Sequence, residues 1–123
     1  MALTADEHLR RAKYNEDFAR WLGIGKSKWP SWTVTALFYA GVHQVQALLV
    51  THDLSAEKHG ERFGALVNWP DVRIPYARLY QLSIEARYQG KDHSEARREH
   101  ALALLDDIKR EVARATGVEA AEK

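Results

Sequence analysis

The sequence predicts an all-α protein: an antiparallel bundle of four main helices plus one short helix. Apolar residues recur every three to four positions along most of the 123-residue chain, and no window alternates apolar and polar residues as a half-buried strand would. The connectors are short and contain Gly, Pro, Asn, Asp or Ser. We therefore expect a single domain over residues 1–123, with residues 118–123 as a frayed tail.

The segment Trp32 to Val50 is the predicted central helix, because it contains no Asp, Glu, Lys or Arg. A helix that is apolar on nearly all sides belongs in a core. Its most apolar face carries the residues Val34, Leu37, Phe38, Gly41, Val45, Leu48 and Leu49. The opposite face carries Tyr39 and His43, four residues apart, so we expect a small polar spot there.

A first helix is predicted to start at Thr4, which forms a capping-box pattern with Glu7, and to end at Gly23 and Gly25. Its expected apolar stripe consists of Tyr14, Phe18, Trp21 and Leu22. Its expected solvent face consists of Arg10, Arg11, Lys13, Glu16 and Asp17. Ser31 is then the expected N-cap of the central helix.

Three further helices are predicted after the central one. Ser55 should cap a short helix that carries His59, Phe63, Leu66 and Val67, and Pro75 should lie in the first turn of the next helix. The inward face of that helix should consist of Tyr76, Leu79, Tyr80, Ser83 and either Ala86 or Arg87. Gln89-Gly90-Lys91 should end it. A last helix, capped within Asp92-His93-Ser94-Glu95 and ended by Gly117, should bury Ala101, Leu104, Leu105, Ile108 and Val112.

Composition narrows the classes of function. Eighteen Lys plus Arg against seventeen Asp plus Glu give a net charge of +1, so any nucleic-acid site must be local. The absence of Cys excludes disulfides and thiolate metal sites. The N-terminus lacks a signal-like apolar core, and no apolar run is expected to approach the roughly 20 residues of a membrane span. We expect a cytoplasmic protein that needs no membrane.

The histidines do not form a recognised zinc pattern, so we expect no metal and no cofactor. Two readings of His43 stay open: a core histidine that bonds a tyrosine or carbonyl of a neighbouring helix, or a base or phosphate contact in a groove. His59 could cap its helix or face the same groove. His93 and His100 are about 10 Å apart along a helix, too far to share one ion.

Two surface patterns also have alternative readings. Trp29, Trp32 and Trp69 stand at predicted helix ends, where they could close the bundle or a dimer seam, or stack nucleic-acid bases. Arg97 and Arg98 stand on a helix of mixed charge, which favours a solvated face.

Three blocks of the sequence resemble the HEPN superfamily of small helical-bundle proteins. They read TALFYAGVHQVQALL, EKHGERFGAL and LYQLSIEARY, and cover about residues 34 to 88. The first matches a pattern of two aromatics, Ala, His and Ala-Leu-Leu through Phe38-Tyr39-Ala40, His43 and Ala47-Leu48-Leu49. The second matches through Lys58-His59 and Phe63, and the third through Leu79-Tyr80 and Ala86-Arg87-Tyr88. The resemblance implies a HEPN-like bundle.

The resemblance also implies a possible activity. Catalytic HEPN ribonucleases carry an Arg followed four to six residues later by His in a dimer cleft, and they cleave RNA without metal; Arg neutralises phosphate while His moves protons. Here Arg87 and His93 have such a spacing and are the candidate catalytic pair. However, Ser83 stands at the aligned arginine and Arg87 at the aligned acid, which favours a non-catalytic protein.

Two functions are therefore carried forward. The first is a non-catalytic or degenerate HEPN module that binds a nucleotide, RNA or a protein. The second is a metal-independent ribonuclease of toxin or defence type. The groove is expected to be lined by Tyr39, His43, His59, Tyr80, Ser83 and Tyr88. The resemblance further implies a homodimer, which the twelve aromatic residues also favour, and a nucleotidyltransferase as a possible protein partner.

Overall fold

The computed structural model describes residues 2–88 and 94–117. Within these residues it contains five α-helices, one short 3-10 turn and no strand, so the all-α prediction is confirmed. The helices are α1 (Ala5–Leu22), α2 (Pro30–Thr51), α3 (His59–Ala65), α4 (Pro70–Tyr88) and α5 (Glu95–Thr116), and the 3-10 turn is Leu66–Asn68. Gln89 to His93 and Val118 to Lys123 lie outside the described residues.

The four long helices form an antiparallel bundle in which α2 packs against α1, α4 and α5. Trp69, just before α4, contacts the ring of His52 at the end of α2, whereas Arg87 near the end of α4 reaches back to Tyr39. Arg98, at the start of α5, bonds the backbone after α1. Each long helix thus runs opposite to the one before it, as short connections require.

The core lies on the apolar face of α2, as the sequence predicts. Every residue assigned to that face is buried. Gly41 allows the close approach of two other helices, because a Cβ there would lie 3.1 Å from Leu79 and 3.5 Å from Ile108. The inward residues assigned to α5 are also all buried, and so is the α4 series Tyr76, Leu79, Ser83 and Ala86.

Four predicted helix boundaries are confirmed. Thr4 and Glu7 form the capping box of α1, Ser94 caps α5 by accepting a hydrogen bond from the Arg97 amide, and Gly117 ends α5 in a left-handed conformation. Gly23 ends α1 at φ 110°, where an added Cβ would collide with the Lys26 carbonyl, so only glycine fits.

Three other predicted boundaries are wrong. Trp29, not Ser31, is the N-cap of α2, because Pro30 takes the first helical position, where its missing N–H costs nothing. Ser55 does not cap α3, which starts at His59 after Lys58. α4 starts at Pro70, so that Pro75 lies inside the helix and not in its first turn.

The aromatic stripe predicted to be the buried side of α1 is exposed, although Arg10, Arg11, Lys13 and Asp17 are exposed as predicted. Tyr14, Phe18 and Trp21 are exposed, with Tyr14 at 75% and Trp21 at 79%, whereas Glu16 is buried at 9%. Small residues such as Ala12 and Ala19 face α2 instead and let the helices approach closely. The chain compensates the buried carboxylate with two cations, described below.

Arg98 is likewise not on a solvated face. It is 6% exposed, and its guanidinium donates to the carbonyls of Ile24 at 2.7 Å and Gly25 at 2.9 Å. These carbonyls follow α1 and lack helical partners, so Arg98 joins the α1–α2 connector to α5.

α2 is long and apolar enough, by length and composition, to cross a membrane, contrary to the expectation that no segment approaches that threshold. In the fold, 78% of that window is buried by the other helices. The same composition is typical of a core helix.

Candidate functional site

Arg87 is held at the surface by α2 and by its own helix. Its guanidinium donates to the Ser83 hydroxyl at 3.1 Å and, at 3.5 Å, to the Tyr39 hydroxyl. It also lies 5.1 Å from the ring centre of Tyr88 and 5.5 Å from that of Phe38. Ser83, assigned to the groove lining, is fully buried and positions Arg87 from below.

About two turns before Arg87 on α4, the ring of Tyr80 stacks on His59. The ring centres are 3.4 Å apart and the planes differ by 7°. His59 Nδ1 shares a hydrogen bond of 3.1 Å with the Tyr76 hydroxyl, which also accepts from Arg62 Nε at 2.8 Å. His59 therefore packs against α4, and Lys58, not His59, is the N-cap of α3.

Tyr76 and His59 have shifted acid–base properties. Burial raises the pKa of Tyr76 although the Arg62 guanidinium opposes the shift. Burial, followed by the charge of Arg62, lowers the pKa of His59. Both groups are therefore neutral at physiological pH and can act as hydrogen-bonding groups.

His43 faces α1. Its Nδ1 lies 2.9 Å from Nδ1 of His8, and the ring centres are 5.2 Å apart. Burial, followed by the positive charges of His8, Arg11 and Arg62, lowers the pKa of His43 to about 4. His43 is thus bonded to a histidine of a neighbouring helix, not to the tyrosine or carbonyl that the core reading expected.

We group these residues as the basic aromatic face, because Phe38 contacts Tyr39, Tyr80 and Arg87 and the charges of Arg11 and Arg62 act on His43. It is composed of His8, Arg11, Tyr39, His43, His59, Arg62, Tyr80, Arg87 and Tyr88. Among residues 2–88 and 94–117, none of its three arginines forms an ion pair with a carboxylate. Tyr39 and Tyr88 expose their rings on it. Such a surface can bond a phosphate and stack a base.

Three members of this face were missed from the sequence. His8 and Arg11 stand on a helix whose solvent side seemed purely charged, and Arg62 stands on a helix of only seven residues. The signal available was helical spacing: His8 and Arg11 lie one turn apart and share a side. Nothing in the sequence shows that this side meets His43.

Of the candidate catalytic pair Arg87 and His93, the structure describes only Arg87. Arg87 has the position given above, whereas His93 lies outside the described residues. In the part of the chain that the structure describes, no group of three or more His, Asp or Glu residues could hold a metal ion.

The tryptophans do not form one cluster. Trp29 and Trp32 are exposed near the start of α2, whereas Trp69 contacts His52 at its other end. The 22 residues of α2 separate these ends by about 33 Å. Trp69 packs against the core, and the exposed pair leaves both readings open.

Comparison with known proteins adds no assignment to this geometry: no family model matches the chain, and no curated protein matches it.

Proposed function

We propose that this protein is a HEPN-like, non-catalytic binding protein that takes a nucleotide, free or within RNA, on its basic aromatic face. The observation that carries the proposal is the placement of Arg87. Its guanidinium is fixed by Ser83 and Tyr39 and lies against the exposed ring of Tyr88.

The charge of the face supports an anionic ligand. Arg11, Arg62 and Arg87 bring three permanent positive charges without a described carboxylate partner. Elsewhere on the described surface, Arg20, Arg97, Arg110 and Arg114 pair with acids, whereas Arg10 and Arg78 are exposed without an ion pair but lie outside the basic aromatic face. Unpaired guanidinium groups favour phosphate binding.

The exposed tyrosine rings support the binding of a nucleobase by stacking. Tyr39 and Tyr88 are exposed beside Arg87, where a flat ring could stack on either side chain. Base stacking on such residues contributes about 1–3 kcal/mol per base without strong sequence preference. A nucleotide would bind the arginines through its phosphate and stack on the tyrosine rings through its base, whereas a simple anion would only bind the arginines.

The neutral histidines suit binding rather than catalysis. His43 and His8 are bonded to each other, and His59 is bonded to Tyr76 and stacked on Tyr80, so these rings are engaged within the protein. A proton-transfer role needs a ring free to reach the reacting oxygen.

The proposal includes a homodimer. The exposed residues Tyr14, Phe18 and Trp21 form one aromatic stripe of α1, in which Phe18 and Trp21 stack at 6.1 Å. Exposed apolar patches of this kind mark interaction surfaces. A cytoplasmic location is an expectation from the sequence composition, and a nucleotidyltransferase partner is an expectation from the HEPN resemblance. Both belong to the proposal on those grounds alone.

The binding test uses fluorescein-labelled single-stranded RNA of mixed sequence in EDTA, followed by anisotropy, with AMP as competitor. Arg87→Ala should weaken binding by about tenfold, and the salt dependence should fall by about 0.7 in logarithmic slope for the lost phosphate contact. Arg78→Ala is the matched control, because Arg78 is an exposed arginine of the same helix outside the basic aromatic face. Equal affinity of both variants, or binding of neither RNA nor AMP by the parent, would overturn the proposal.

The alternative is a metal-independent ribonuclease that uses Arg87 and His93. The observation that favours it is the surface position of Arg87 with an unpaired charge, which suits stabilisation of a phosphate in a transition state. Cleavage of the same RNA in EDTA, lost in both Arg87→Ala and His93→Ala, would establish it. Binding without cleavage would leave the non-catalytic function.

A further inference from the structure

A groove of about 450 Å³ lies between α1 and α5, on the side of α1 away from the basic aromatic face. Its floor is α2. The groove exists because small residues line all three helices: Ala5 on α1, Ala47 on α2 and Ala113 on α5. The volume falls within the range of small-molecule sites, about 300–1,000 Å³.

One end of the groove is apolar. Leu9 and Val112 form its walls together with Ala5 and Ala113. The hydroxyl of Thr51, which also lines this end, donates back to the Ala47 carbonyl at 2.8 Å and is thereby occupied. The exposed Asp6 and the half-buried Thr116 also line this end, and the Thr116 hydroxyl donates to the Val112 carbonyl at 2.8 Å. An apolar group can pack against the alkyl side chains that lie between them.

The other end is charged. Glu16 accepts from Lys109 Nζ at 2.9 Å and from Arg20 at 2.9 Å, so two cations share one carboxylate. Burial raises the pKa of Glu16, but the hydrogen bonds from Lys109 and Arg20 outweigh burial and hold its pKa below the usual value. Lys13 and Asp17 pair at the rim, and the exposed Asp106 approaches Lys109 only to 4.0 Å.

At the charged end, the Arg20 and Lys109 side chains have more N–H hydrogen-bond donors than the neighbouring carboxylates accept. Arg20 has five N–H groups, of which Nε and Nη2 bond Glu16, and Lys109 has three, of which one bonds Glu16. Glu16 has both oxygens engaged. Gln44, midway along the groove, makes no side-chain hydrogen bond in the described part of the chain. The free capacity therefore suits a ligand that accepts hydrogen bonds.

We infer that this groove is a binding site for a small amphipathic monocarboxylate, with the carboxylate at Arg20 and Lys109 and the apolar tail against Leu9 and Val112. From Ala5 to Glu16 the groove follows α1 for about 16 Å, enough for a tail of medium length. Lys109 and Arg20 share the buried carboxylate of Glu16. The carboxylate of the ligand would give these two cations a second hydrogen-bond acceptor. This inference is independent of the nucleotide proposal.

The test is a calorimetric titration of the full chain with octanoate, octanol and octylammonium, with amide NMR shifts to locate each probe. Octanoate should shift the amide signals of α1 and α5 residues along the groove. It should bind about tenfold more tightly than octanol, because its carboxylate accepts charge-assisted hydrogen bonds that a neutral hydroxyl does not. Octylammonium should bind more weakly than either.

Two variants distinguish binding in the groove from nonspecific binding elsewhere on the protein. Ala113→Phe fills the groove and should abolish octanoate binding, whereas Ala103→Phe, at an exposed site of the same helix, should leave it unchanged. Arg20→Met should reduce the preference for octanoate over octanol, with octanol affinity unchanged. Melting curves from circular dichroism confirm that each variant folds. The inference is overturned if Ala113→Phe binds as the parent does, if octanol equals octanoate, or if none of the probes binds.

Discussion

His8 on α1 and His43 on α2 share a hydrogen bond between their Nδ1 atoms, 2.9 Å apart, at the edge of the basic aromatic face. Such a bond needs one ring with a proton on Nδ1 and one without. Two imidazolium rings would present two donors and two positive charges to each other. The pair therefore joins α1 to α2 only while at least one ring is neutral.

This pair should make the stability of the protein depend on pH. The folded pKa of His43 is lowered to about 4 from its ordinary 6.5, mainly by burial and then by His8, Arg11 and Arg62. Between these values the unfolded chain holds more protons, so the stabilisation is present above pH 6.5 and is lost as pH falls toward 4. Urea unfolding at pH 7 and pH 5 should differ by about 1 kcal/mol, after allowance for the half-exposed ring.

The variant His43→Gln should show a smaller loss between pH 7 and pH 5, although a part will remain because the pKa of His59 is also lowered, first by burial. His100→Gln, which changes an exposed histidine of α5, should keep the full pH dependence. Parallel curves for the parent and His43→Gln would contradict the assignment.

Arg98 should contribute strongly to stability. Arg98→Met removes the donors to the Ile24 and Gly25 carbonyls and should cost about 2–3 kcal/mol, because these acceptors then lie beside an apolar side chain. The free energy of unfolding from urea titration measures the loss. Arg110→Met, at an exposed position of the same helix, should cost less than about 0.5 kcal/mol. A cost for Arg98→Met as small as the control's would show that the buried bonds add little.

Arg98 also shows what the sequence can and cannot predict. The helices and the core face of α2 follow from local spacing, and so do the Thr4, Ser94 and Gly117 boundaries, because each depends on residues within one or two turns. Arg98 bonds carbonyls more than 70 positions away, so no local pattern identifies it as buried.

Contacts between distant parts of the chain also explain why the arrangement of the candidate site could not be predicted from the sequence. Tyr39, His59, Tyr80 and Tyr88 could be nominated by pattern and resemblance, but their arrangement around Arg87 depends on how α2, α3 and α4 meet. Likewise, the apolar pattern of α1 identified a stripe correctly and assigned it to the wrong environment. Aromatic periodicity shows that residues share a face, not what covers that face.

Glu16 should stabilise the contact between α1 and α5. Glu16→Gln removes the charge shared by Arg20 and Lys109 and should cost about 1–2 kcal/mol, a modest value because both cations are partly exposed and can hydrate. Asp17→Asn, one residue away in an exposed pair with Lys13, should cost about 0.3 kcal/mol or less. Thermal unfolding at pH 7 compares them, and equal effects would contradict a special role for Glu16.

Below pH 4.5 the difference between the parent and Glu16→Gln should shrink. Hydrogen bonds from Lys109 and Arg20 hold the pKa of Glu16 below its usual value against the opposing effect of burial. Its stabilisation is therefore present above the usual pKa and is lost as pH falls through the folded one. A constant difference down to pH 2 would mean that the carboxylate charge is not the cause.

The aromatic stripe of α1 should mediate self-association of the chain. Trp21→Arg places a charge where an isologous contact would bury a large ring, and loss of about 2 kcal/mol of apolar burial weakens a dimer by about 30-fold. Sedimentation equilibrium should therefore show the parent as a dimer and Trp21→Arg shifted toward monomer, with Phe18→Arg behaving alike because the two rings stack on each other. Val67→Arg is the matched control, since Val67 is an exposed apolar residue of the 3-10 turn at the far end of the bundle. If the parent sediments as a monomer, or if Val67→Arg dissociates the dimer as readily as Trp21→Arg, the stripe is not the dimer interface.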